Sequence, residues 1–314
     1  MYMSQRSGKK SSPLMILLGI LVVGAGVVLQ QLGLFETEEP VSENVSGSAE
    51  AQVYFIDVGQ GDSELIRLKD SGIDILIDAG TRSTKQELAD YLKELGVDDI
   101  DILIGTHPHE DHIGGMAKII EEFPIGTLYL PETSDEMTPT TKTYESLLDA
   151  AENKNVTVRT AAAGDVLLEQ GNTSFKVLSP SHTDYDNLND YSIVTRLKVG
   201  DTAFLFQGDA ETPVEEEILD SGADVSCDVI KLGHHGSSTS SSRAYLEAAN
   251  PSAAVISCGV GNEYGHPHRE TMDLLEKLSI TPYRTDTQKT LLAETDGKTI
   301  VWQTELESVI DAAS

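Results

Sequence analysis

The decapeptide THPHEDHIGG, residues 106–115, constrains this chain more than any other stretch. Three histidines and two acids fall within six positions, directly behind the apolar run IDILIG and just ahead of a glycine pair. A short apolar run bounded by turn residues reads as a buried strand, so the polar cluster stands at a strand end. Pro108 keeps His107 out of helical conformation and favours an extended stretch, in which residues 107, 109 and 111 project to one side. A turn into a helix starting at Gly114 and Gly115 then swings His112 beside them. Imidazoles with carboxylates are the ligand set of zinc and similar divalent ions, and the glycines permit close backbone approach. A lone histidine is ordinarily a solvated loop residue; HxHxDH behind a strand is not. The zinc-protease pattern HExxH is absent.

Strand-like runs (AQVYFIDVG, SELIRL, IDILIDAG) precede the helix-like TKQELADYLKELG, where Leu88, Leu92 and Leu95 recur at helical spacing before Gly96. Beyond the motif, helix-like segments (116–122, 140–154, 213–220, 241–249, 268–278) alternate with strand-like ones (127–130, 156–160, 173–178, 192–199, 203–207). SIVTRLKVGDTAFLFQG reads as a hairpin with a Gly-Asp turn. Strand groups separated by amphipathic helices predict an α/β fold of two sheets with helices outside them, and residues 51–314 read as one domain.

Ahead of that domain, residues 14–29 (LMILLGILVVGAGVVL) form an apolar run behind Arg6, Lys9 and Lys10. The basic flank keeps the amino end in the cytoplasm and exports the remainder. Without a small-x-small cleavage site or a lipobox cysteine, residues 1–35 read as a retained transmembrane signal anchor in the cell membrane rather than a cleaved peptide of a secreted protein. Residues 36–50, rich in Glu, Ser and Gly, read as a flexible linker. Acidic residues outnumber basic ones 52 to 22, a net charge of −30 that excludes a broad phosphate-gripping basic face. Cys227 and Cys258 flank a strand–helix–strand crossover, which places them at opposite ends of a sheet as free thiols.

The ordered set YFIDVGQGDSELI (54–66), ILIDAG (75–80), THPHEDHIGG, NDYSIVTRL (189–197), FLFQGDA (204–210), DVIKLGHHGSS (228–238), NEYGHP (262–267) and RTD (284–286) resembles the metallo-β-lactamase superfamily. Within it, the set is most similar to the hydrolase domain of ComEC-type competence (DNA-uptake) proteins. The resemblance covers residues 51–303 and implies an αββα sandwich holding two divalent ions, zinc or manganese. It implies that His107 and His109 hold one ion, Asp111 and His112 the second, that Asp209 bridges them, and that His235 or His234 completes the second site. His234 is the weaker ligand candidate and is also assigned to substrate. Asp78 supports the motif loop as an outer carboxylate. Many superfamily members supply a further histidine before the strand that begins here at Ser192; this chain has Asn189 and Asp190 there, and His182 is the imidazole nearby. Asp190 is the substitute candidate ligand.

Two cations held together activate water and stabilise developing oxygen charge. Asp111 is then placed to orient that water and take its proton, while His266, Ser237 and Asn262 contact substrate phosphate or, for His266, protonate the leaving group. His268 reads as an exposed helix-start residue. The expected function is an exported, metal-dependent phosphodiesterase or nuclease acting on DNA or RNA. The alternatives are a hydrolase of another cell-surface phosphodiester such as a phosphorylcholine ester, and a non-catalytic metal-binding module. One apolar run cannot form a DNA channel. No protein partner is implied.

Overall fold

Residues 49–312 of the computed structural model are described here; the anchor and nearly all of the linker lie outside them. Among the described residues no helix is long and apolar enough to cross a membrane. Two sheets account for the strands. The first has the order β15 (Ile300–Leu306), β14 (Thr290–Thr295), β1 (Ala51–Phe55), β2 (Glu64–Leu68), β3 (Ile73–Ile77), β4 (Ile100–Ile104), β5 (Ile125–Leu130), β6 (Thr157–Thr160), and the second β13 (Thr281–Arg284), β12 (Ala253–Ile256), β11 (Val229–Lys231), β10 (Thr202–Phe206), β9 (Val194–Val199), β8 (Thr173–Ser179), β7 (Val166–Gln170).

Side-chain alternation along the strands explains the layering. In β1 (Ala51–Phe55), Val53 and Phe55 enter the core between the sheets, while Tyr54 enters the core beneath the outer helices. In β10 (Thr202–Phe206), Phe204 and Phe206 face the inter-sheet core and Leu205 the opposite helix layer. Three apolar layers result, since each sheet has two buried faces, and the predicted αββα sandwich is present. Helices α1 (Lys85–Glu94), α3 (Met116–Glu122) and α4 (Lys142–Lys154) cover the first sheet. Helices α5 (Thr212–Ser221), α6 (Arg243–Ala249) and α7 (Arg269–Leu278) cover the second. Their bounds follow the sequence reading to within about two residues, because the periodicity coincides with clear stops such as Asn155 and Gly222, both left-handed.

The connection between β9 (Val194–Val199) and β10 is the expected Gly-Asp hairpin. Strand β3 (Ile73–Ile77) pairs in parallel with β4 (Ile100–Ile104), as β10 does with β11 (Val229–Lys231) and β11 with β12 (Ala253–Ile256). Loops leaving the carboxyl ends of these strands carry the motif residues of both sheets, where parallel α/β sheets generally hold their sites. Cys227 and Cys258 are buried free thiols on either side of the β11–β12 crossover, and burial pushes each thiol up to about 12.

Candidate metal centre

The motif residues arrive by a different local path from the extended one expected. Backbone extension ends at His109 (φ −73°, ψ 151°), and Glu110–Ile113 form a single helical turn, α2. Asp111 therefore reaches the centre from that turn rather than by strand alternation. Gly61, in the loop before β2 (Glu64–Leu68), lies against the Asp111 carbonyl at φ +147°, so a Cβ there would collide with it. The Asp62 amide donates to the same carbonyl at 3.1 Å. The glycine loop thus clamps the turn that carries Asp111 and His112.

Among the described residues two groups of ligand-capable atoms form, the atoms of each lying within 4.8 Å of one another: His107, His109 and Asp209; and Asp62, His112, Asp209 and His235. Asp209 is common to both, as a bridging ligand must be. Its Oδ2 stands 3.7 Å from His107 Nε2, and its Oδ1 stands 3.2 Å from His112 Nε2 and 3.6 Å from His235 Nε2. Asp111 Oδ2 is 3.3 Å from His235 Nε2, on the same side. His109 Nδ1 is 3.0 Å from His107 Nε2.

Buried groups in folded proteins are almost always hydrogen-bonded. Yet His112 Nε2, His235 Nε2 and Asp209 Oδ1 are buried with no hydrogen-bond partner, and all three converge. The outer contacts explain which nitrogen is left bare. His112 Nδ1 is 2.7 Å from Asp78 Oδ2, and His235 Nδ1 is 2.9 Å from the Ser257 carbonyl, so each ring donates outward and turns a lone pair inward. This donor set fits a pair of divalent cations.

Charge compensates the convergence when protons take the place of cations. Burial alone would lower the His235 and His112 pKa values. Asp209, with Asp62 and Asp111 for His235 and Asp78 for His112, outweighs burial, raising His112 well above its usual range and His235 to about 10. Burial likewise opposes ionisation of Asp209, but His112 and His235 hold its carboxyl well below the usual range. His107 is lowered by burial first and by His112 next, so it stays neutral with a lone pair available.

Asp78 braces the motif turn through its carboxylate. Besides His112, its carboxylate accepts the Thr106 amide at 2.8 Å and the Thr106 hydroxyl at 2.6 Å. The two histidines after β11 adopt consecutive left-handed conformations (φ 48° and 54°), unusual for non-glycine residues and costly unless the surroundings impose them. His235 joins the second group. His234 Nε2 lies 3.9 Å from Asp209 Oδ2, on the His107 side, and its Nδ1 is 3.1 Å from Glu211 Oε1. His234 belongs to neither close group and lines the cleft instead.

Asp190, the candidate ligand, is not brought into the centre, and three other residues singled out in the sequence have partners of their own. Asp190 is outside both groups: its Oδ1 accepts the Glu211 amide at 3.3 Å, so it braces the loop after Asp209. His182 is exposed and pairs with Asp184 and Glu217. Asn262 is engaged by its own loop, donating to the Gly259 and His266 carbonyls and accepting the His266 amide. The Ser237 hydroxyl is engaged with Thr239. His266 does line the cleft, but burial first and His235 next lower its pKa to about 4. It is therefore a neutral hydrogen-bonding group near pH 7 and a poor leaving-group acid. His268 heads α7 as expected, but it is half-buried rather than exposed, with its ring against Ser238 and the Tyr264 carbonyl.

Three participants escaped the sequence reading. Lys231 Nζ, almost fully buried, lies 2.6 Å from Asp62 Oδ2. Asp62 in turn has Oδ1 3.2 Å from His235 Nδ1 and Oδ2 4.0 Å from His112 Nδ1. Those are the outward-facing nitrogens, so although Asp62 falls in the second close group, Asp111 is the better placed ligand and Asp62 supports the rings from behind. Glu211, the third, also accepts from Asn189 Nδ2 and Thr239 Oγ1, which fixes the carboxylate that orients His234.

The chain from residue 56 to residue 260 matches the family model of the metallo-beta-lactamase superfamily. The chain belongs to that superfamily. Among curated relatives it is 32% identical over 265 residues to "ComE operon protein 3" of Bacillus subtilis, covering 78% of this chain and 33% of that protein. It is also 32% identical over 250 residues to "Competence protein ComA" of Neisseria gonorrhoeae, covering 79% and 32% respectively. The chain thus spans about a third of the length of these competence-related relatives. Among solved structures, the fold is similar to a novel metallo hydrolase from Ignicoccus hospitalis, with TM-score 0.50, 16% identity, and coverage of 77% of this chain and 98% of that one. It is similar too to CmlA, a diiron beta-hydroxylase from Streptomyces venezuelae, with TM-score 0.50, 14% identity, and coverage of 76% and 53%.

Proposed function

We propose that this protein is a metal-dependent phosphodiesterase of nuclease type, acting on single-stranded or short nucleic acid. The observation that carries the reading is the convergence of His112 Nε2, His235 Nε2 and Asp209 Oδ1, buried without partners beside a second cluster of His107 and His109. When bound, divalent ions, zinc or manganese, supply Lewis acidity and a water ionised near neutral pH. Asp111, partly exposed to the cleft, would orient the attacking water and take the proton it gives up. His107, His109, Asp111, His112, Asp209 and His235 would hold the ions, and His234 and His266 would offer ring N–H groups to phosphate oxygens. The cleft of about 360 Å³ lined by His109, Asp111, Asp209, His234, His235 and His266 admits a phosphodiester with its flanking groups. The competence-related kinship supports nucleic acid as the substrate class.

The same reading assigns residues 1–35 to an anchor, 36–50 to a linker and 51–314 to the exported catalytic domain, on the strength of the basic and apolar amino-terminal sequence. The decisive experiment assays the purified chain with manganese, zinc or magnesium on bis-p-nitrophenyl phosphate and single-stranded DNA, beside Asp209→Ala. Metal-dependent cleavage that the variant loses is expected; equal rates, or no cleavage with any of the metals, defeats the reading. A phosphorylcholine ester is the second candidate substrate, favoured by the net charge of −30, which attracts a cationic group rather than a polyanion.

A further inference from the structure

We propose that Tyr264, with the His266 imidazole against it, forms a stacking subsite for one nucleobase beside the metal centre; this rests on the nucleic-acid reading above. Five large apolar side chains are exposed among the described residues, and two of them, Val260 (74%) and Tyr264 (66%), stand on the loop that brings His266 to the cleft. Tyr264 lines the same cleft as Asp209 and His235. Its ring lies nearly parallel to that of His266, with an interplanar angle of 18° and centroids 5.6 Å apart. The tyrosine ring is therefore offset-stacked on the cleft imidazole while most of its surface stays open to solvent.

The loop that presents the ring is braced. Asn262 makes three hydrogen bonds within it. His268 Nδ1 accepts the Ser238 amide at 2.9 Å, and its Nε2 lies 3.3 Å from the Tyr264 carbonyl, which ties the loop to the histidine pair. An aromatic side chain held open to solvent beside a reaction centre has its apolar face available to a ligand.

Electrostatics favours a neutral contact. A chain of net charge −30 gains little by gripping a polyanion through lysines, so affinity for nucleic acid must come from contacts that charge does not weaken. Base–aromatic stacking is such a contact and tolerates any base. A quaternary ammonium is recognised by a cage of several rings, whereas among the residues lining this cleft Tyr264 supplies the one ring of the Phe, Tyr and Trp class.

The test measures equilibrium binding of the manganese-loaded full chain to a fluorescein-labelled tetrathymidylate with phosphorothioate linkages, so that turnover does not enter. Tyr264→Ala is expected to weaken binding by roughly ten- to a hundredfold, Tyr264→Phe to restore most of it, and metal content to stay unchanged. An oligomer with an abasic sugar at the stacking position should bind wild type as weakly as the alanine variant binds the intact oligomer. Unchanged affinity in Tyr264→Ala, an equal loss on intact and abasic oligomers, or Tyr264-dependent binding of phosphorylcholine without any of the oligomer overturns the proposal. Tyr264-dependent binding without cleavage of DNA or bis-p-nitrophenyl phosphate upholds it and defeats the hydrolytic reading alone.

Discussion

Asp78 Oδ2 and His112 Nδ1 lie 2.7 Å apart, with both side chains wholly shielded from solvent. The contact keeps a proton on Nδ1 and leaves Nε2, facing Asp209, as the nitrogen a cation would take, although the two residues are separated by a helix and a strand. Asp78→Asn keeps the shape and one acceptor for Thr106 but removes the carboxylate. Divalent-metal affinity should fall by about ten- to a hundredfold, read by competition with a chromophoric chelator. Wild-type affinity in this variant would show that the tautomer is set by something else.

The buried pair of Lys231 and Asp62 makes a separate demand on stability. Removing one partner of such a pair leaves an uncompensated charge and costs on the order of 3–5 kcal/mol. Lys231→Met should therefore lower the urea midpoint sharply, while the double variant Lys231→Met with Asp62→Asn should recover part of the loss. If the two single changes and the double change are additive, the pair is not coupled, and the 2.6 Å contact has no energetic meaning.

The metal-free protein should depend on pH in a defined direction. The His235 pKa is about 10 in the folded chain, where burial is outweighed by Asp209, Asp62 and Asp111, against an ordinary 6.5. A raised folded pKa stabilises fully below the unfolded value and stops doing so as pH climbs through the folded one. Thermal midpoints of the metal-free chain should accordingly fall between about pH 7 and pH 10. The manganese-loaded chain should fall less, since a cation then faces the carboxylates. Calorimetric titration with metal at pH 8 in buffers of different ionisation enthalpy should also reveal proton release; buffer-independent heats would rule it out.

Much of this was legible in the sequence, for identifiable reasons. The HxHxDH motif, Asp209 and the histidine pair each stand directly after an apolar run, so local pattern sufficed to place them at strand ends. Asp62 and Lys231 carry no such signal: the partners are 169 residues apart, and each alone looks like an ordinary loop or strand charge. The pairing of β1 with β14 (Thr290–Thr295) is equally non-local. Asp190 misled because its position suggested a replacement ligand, while the short 3-10 turn at Leu188–Tyr191 places its carboxylate on the Glu211 amide. The serine-rich stretch 237–242 has no apolar pattern to place it, yet it is held by Glu215, which accepts the Ser241 and Ser242 amides, and by the Ala210 carbonyl, which accepts the Ser240 hydroxyl.

Gly115 offers a test of how closely the motif turn must approach its neighbours. Its φ of −86° is open to any residue, so conformational freedom is not what requires glycine. The requirement is contact: a Cβ there would run into the Ala79 carbonyl, immediately after Asp78. Gly115→Ala should push the turn bearing Asp111 and His112 away from the strand end, at a cost of about 1–3 kcal/mol in stability. Because that turn carries two site residues, metal affinity should fall as well, and saturating manganese should restore the thermal midpoint only in part. An alanine variant that is less stable yet binds metal as tightly as wild type would mean that the turn and the centre relax independently. The close packing of Gly115 would then concern folding alone.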